Sequence, residues 1–79
     1  MSSVKLYKSI DSTSANCAGA IGELAGAIND AYAGEGVEIF IKDEATRKDV
    51  YAWAKKTRHK IVVDESVGDK LRLVVEKVA

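Results

Sequence analysis

The chain has 79 residues, twelve basic and twelve acidic side chains, a net charge of zero, one cysteine and no proline. A single soluble domain spanning residues 1–79 is expected, because a chain this short builds only one thin core. The charge balance argues against a dedicated nucleic-acid binder, one cysteine excludes an intrachain disulfide, and no apolar run approaches the ~20 residues of a membrane helix. The free thiol and the absence of a charged-then-apolar leader in Met1-Ser2-Ser3-Val4-Lys5 point to the cytoplasm.

Val4 to Tyr7 reads as a short strand, with Val4 and Leu6 facing one way, followed by a polar connection from Ser9 to Asn16. Asn16, or its rival Ser14, is placed to cap a helix from Cys17 to about Tyr32. Ile21, Leu24, Ala25 and Ile28 form its apolar stripe, and Gly34-Glu35-Gly36 ends it. Gly19, Gly22 and Gly26 share a second face of that helix, each costing about 0.5–1 kcal/mol relative to alanine. They either keep that face flat for a partner's backbone or are incidental on a helix held by its packed side.

Val37 to Ile41 alternates as a strand, with Val37, Ile39 and Ile41 inward and Phe40 outward. Thr46-x-x-Asp49 suggests a capping box for a second helix running to about Thr57. Val50, Trp53, Ala54 and Thr57 mark its inner face, and Lys48, Lys55 and Lys56 point outward. Ile61 to Val63 and Lys70 to Val78 read as two antiparallel strands around a turn from Asp64 to Asp69. The order β-α-β-α-β-β predicts an α/β two-layer sandwich. Two helices cover one face of a four-stranded mixed sheet, and the other face lies open through Lys5/Tyr7, Glu38/Phe40/Lys42 and Arg72/Val74/Glu76.

Cys17 is the candidate reactive residue. In the first turn of a helix a cysteine meets the positive end of the dipole and unpaired backbone N–H groups, and both favour the thiolate. As a small buried hydrophobe it would be inert; the residues alone leave both readings open. One cysteine and one histidine cannot make a structural zinc site, and no phosphate loop is present, so neither a metal nor a cofactor is expected. His59 follows the second helix and, if the helices run the same way, lies too far from Cys17 for a proton-transferring dyad. Lys55, Lys56, Arg58 and Lys60 form a basic cluster, read as a solvated helix end or as a docking patch for an acidic partner or RNA.

From about Tyr7 to Val78 the chain resembles the TusA/SirA-like sulfur-carrier family. The Cys-Pro-x-Pro motif of the family aligns with Cys17-Ala18-Gly19-Ala20. Its Asp-Pro…Asp-Ile…aromatic…His pattern aligns with Asp43-Glu44 through Asp49-Val50, Trp53 and His59. Both motif prolines are absent, and the glycine before the late histidine is Arg58. The resemblance implies a fold similar to the C-terminal domain of translation initiation factor 3. It also implies a cofactor-free cytoplasmic sulfurtransferase or carrier, in which Cys17 takes sulfane sulfur, as persulfide or thiosulfonate, and relays it between donor and acceptor proteins. Asn16, Ala18, Gly19 and the basic cluster would meet those partners, and homodimers through the open sheet face or an edge strand are compatible with it. The alternative is a binding or regulatory adaptor of the same fold with an inert cysteine.

Overall fold

The computed structural model describes residues 5–78. In chain order the elements are β1 (Lys5–Asp11), α1 (Cys17–Asp30), β2 (Glu35–Ile41), α2 (Glu44–Thr57), β3 (Lys60–Val67) and β4 (Lys70–Glu76). The sheet order is β1-β2-β4-β3, with β1 and β2 parallel and β4 antiparallel to both β2 and β3. The predicted four-stranded mixed sheet with its β-α-β-α-β-β order is therefore present.

The core lies between the sheet and both helices. Val37, Ile39 and Ile41 of β2 and Leu73 and Val75 of β4 are fully buried. They meet Ala20, Leu24, Ala27 and Ile28 of α1 and Val50 of α2. The alternation of β2 supplies one apolar face, and the helical stripe lies against it. The burial centre of α1 is rotated slightly from the expected stripe. Ala20 and Ala27 are buried, whereas Ile21 and Ala25 are only half-buried, because Ile21 turns towards α2.

Several boundaries differ from the sequence expectation. β1 extends through the residues read as a connection, and Ile10, not Leu6, is its core residue. The cause is a bulge: pairing shifts between Leu6 and Lys8, so Tyr7 is the extra residue and Leu6 falls opposite Gly36 on the open face. Val4, expected at the start of this strand, lies outside the described residues. α1 ends at Asp30 with extended Ala31 as its cap, before the glycines; Gly34 (φ 90) makes the following turn and Gly36 is a buried residue of β2. Lys77 supplies the cation that the last turn of α1 lacks, donating from Nζ to the carbonyls of Asn29 (3.2 Å) and Ala31 (2.7 Å).

α2 starts earlier than the Thr46-x-x-Asp49 reading. Asp43 is the N-cap, its Oδ1 accepting from the N–H of Thr46 at 2.9 Å. Thr57, expected inward, is exposed and donates back to the carbonyl of Trp53 at 2.8 Å. Arg58 caps the helix in the left-handed conformation (φ 65, ψ 25). β3 continues to Val67, so only Gly68 and Asp69 join it to β4. Gly68 (φ 64) takes the first loop position, where a two-residue hairpin turn demands positive φ.

The open sheet face is less polar than expected. Val74 is only 2% exposed there, beside a diagonal bridge. Arg72 donates to Glu38 of β2 and, at 2.9 Å, to Glu65 of β3, while Ser9 donates to Glu38 at 2.7 Å. These bonds, that from Ser9 foremost, hold the Glu38 carboxyl below its usual range.

Candidate functional site at the N-terminus of the first helix

The β1–α1 loop places Cys17. The Ser12 N–H donates to the Phe40 carbonyl at 2.8 Å, and the Ser12 carbonyl accepts from Ala15 at 3.1 Å. The loop is therefore pinned to the C-terminal end of β2. Ser12 is buried and its Oγ meets no hydrogen-bond partner among the described residues, so the backbone does the fixing. Asn16 is the N-cap, in extended conformation, and its Oδ1 accepts from the Gly19 N–H at 2.7 Å. Its carbonyl accepts from Ala20 at 3.0 Å.

Cys17 is thus the first helical residue, as the Asn16 alternative required. The expectation of an open sulfur concerns a side chain outside those described. Helix geometry leaves the N–H groups at the first two positions, Cys17 and Ala18, without an intrahelical carbonyl. No acidic residue stands in the first turn to oppose an anion there. Gly19 sits tightly under the cap: a Cβ there would approach Asn16 Oδ1 at 3.2 Å and Ala15 Cβ at 3.5 Å. Asn16, Ala18 and Gly19, all exposed, therefore gather around Cys17.

The rest of the anticipated partner surface is elsewhere. Lys55, Lys56, Arg58 and Lys60 are exposed at the far end of α2 and the start of β3, and none joins an ion pair among the described residues. That end lies at the opposite end of the strands, where Gly34 and Glu35 exchange backbone bonds with Lys77 and the Val78 N–H donates to His59 Nδ1 at 3.4 Å. The span of β2 from Gly36 to Phe40, about 13 Å at strand spacing, separates it from the Cys17 end. His59 is therefore no partner of Cys17. It packs against Trp53, ring centroids 5.7 Å apart, and burial followed by the charge of Lys77 pushes its pKa down.

One neighbour of Cys17 was missed from sequence. Ala18, Ile21 and Gly22 of α1 face Asp49 and Trp53 of α2 across an open depression of about 640 Å³, apolar apart from Asp49. The spacings 18/21/22 and 49/53 each mark one helical face, but only the docking of the two helices joins them. Among the described residues no three His, Cys, Asp or Glu side chains cluster as metal ligands, and no helix is long and apolar enough to cross a membrane.

The family model described as "Sulfurtransferase TusA" matches residues 8–77. A protein of Archaeoglobus fulgidus named "Putative sulfur carrier protein" is 32% identical over 68 residues, covering 86% of this chain and 93% of the relative. The match runs through both helices and all four strands, and it supports a sulfur-carrier role. The chain belongs to the TusA sulfurtransferase family.

Proposed function

We propose that Cys17 carries sulfane sulfur between partner proteins. The observation that supports this most directly is its place as the first residue of a helix capped by Asn16 and free of acids in its first turn. The dipole and the free N–H groups there favour the thiolate and then the terminal sulfur anion. The Cys17 thiolate attacks the outer sulfur of a donor persulfide. The donor's S–S bond breaks, its electron pair leaves with the donor thiolate, and a new S–S bond forms on Cys17. An acceptor thiolate repeats the step on the terminal sulfur and regenerates Cys17. The sulfur passes between thiols of equal oxidation level, so the exchange is complete without a redox cofactor. A thiosulfonate is the other cargo compatible with this site.

Asn16, Ala18 and Gly19 frame the partner's approach. Lys55, Lys56, Arg58 and Lys60 offer a second contact, for an acidic partner surface. Incubation with a persulfide or polythionate donor followed by mass spectrometry is the test. Added sulfur mass is expected on Cys17, and none in Cys17→Ser, whose thermal unfolding stays within about 0.5 kcal/mol of the parent. An unmodified Cys17 with every donor overturns the carrier reading and leaves the adaptor reading.

A further inference from the structure

The depression beside Cys17 carries one charge and gives it no partner. Ala18, Ile21 and Gly22 form one wall and Trp53 the other, with Asp49 alone among them ionisable. Asp49 is exposed and makes no ion pair among the described residues, although both arginines of the ion-pair clusters, Arg47 and Arg72, have two carboxylates each. The floor is cut low at Gly22, where a Cβ would meet nothing within 4 Å, so folding does not require glycine there. A lone carboxylate at an otherwise apolar groove favours a cation set beside apolar surface.

We propose that this groove seats an extended segment of a sulfur-transfer partner protein, with a lysine or arginine on Asp49 and a neighbouring aliphatic side chain on Ile21 and Trp53. Ala18 is the residue after Cys17, so a segment seated there brings its own chain to the reactive end of α1. The segment's backbone runs over Gly22, where a side chain would block it. The identity of the partner rests on the carrier reading. Seating does not, because loading of Cys17 by a small polysulfide needs no groove; failed loading and failed docking are therefore separate results.

Trp53 is the only tryptophan and reports on the site directly. The probe is the cysteine-free peptide acetyl-Ser-Ala-Leu-Lys-Ala-Leu-Ser-amide, compared with the same peptide carrying Glu for Lys. Binding is followed by Trp53 emission and by amide chemical shifts, up to about 5 mM peptide, the range of a weak single-segment contact. The lysine peptide is expected to shift Trp53 emission and the amides of Ala18, Ile21, Gly22 and Asp49, about three- to tenfold more tightly than the glutamate peptide. Asp49→Lys should reverse that preference. Gly22→Leu should abolish binding while keeping the unfolding temperature at or above that of the parent. Equal binding of the two peptides, shifts centred on another face, or no binding of the lysine peptide overturns the proposal. So does a single-stranded oligonucleotide that occupies these residues when the lysine peptide does not.

Discussion

The two flanks of α2 differ in how their charges are used. On the β3 side, Asp64 Oδ2 accepts from Arg47 Nε at 2.9 Å and from the Tyr51 hydroxyl at 2.6 Å, and Arg47 Nη1 donates to Glu44 at 2.7 Å. The guanidinium also lies over the Tyr51 ring, 4.9 Å from its centroid. On the α1 side, Asp49 and Trp53 face a groove, and Asp49 joins no ion pair among the described residues. One flank fastens the helix to the sheet; the other lines an open depression at the Ala18 end of α1. Residues four apart on a single helix, such as Asp49 and Trp53, can therefore serve a surface different from that of Arg47 and Tyr51.

Cutting the fastened flank has the larger expected effect on stability. Asp64→Ala leaves Arg47 and Tyr51 without their shared acceptor. It should cost about 1 kcal/mol in urea unfolding, a figure held low because the cluster is partly open to water. A cost equal to that of Asp49→Ala would erase the contrast between the flanks. The acid limb of the stability profile sharpens it. Arg47, then Tyr51, hold the Asp64 carboxyl below its ordinary value of 3.8, and Ser9, then Arg72, hold Glu38 below 4.5. The unfolded chain then binds more protons than the folded one in the window below those values, so stability falls as pH drops through it and is whole above it. Asp64→Asn should flatten that fall, read from unfolding midpoints between about pH 5 and pH 2. On the open flank, Gly22→Leu should raise stability by about 0.5–1 kcal/mol through helix propensity alone. Loss of stability there would mean that the glycine serves packing. The smallest effect is expected for Asp49→Asn, within about 0.5 kcal/mol of the parent in the same urea titration.

Much of this arrangement could be read from the residue pattern, and the exceptions share a cause. Leu24 and Ile28, spaced for one helical face, and the alternation of Val37, Ile39 and Ile41 placed both core layers correctly. Asn16 marked the start of α1 because a short polar side chain there can accept from the third helical N–H. Ile10 escaped notice because polar Ser9 and Asp11 flank it and because the bulge at Tyr7 breaks a simple alternation. Asp43 and Thr46 both suit a cap, and only the backbone decides between them. Val74 was placed in solvent by its strand parity; the bridge from Arg72 to Glu38 beside it forms only once β2 and β4 pair. For the site, Cys17 and its cap were visible as neighbours in sequence. The separation of the basic cluster from Cys17, and the groove that adjoins Cys17, depend on how distant segments dock.

Both outermost strands of the sheet carry an irregularity. Pairing slips at Tyr7 in β1 and at Val62 in β3. A second molecule trying to extend the sheet from either side would meet an interrupted ladder of amides, twisted away from the straight template that such addition requires. The margins of the sheet thereby resist polymerisation by strand addition.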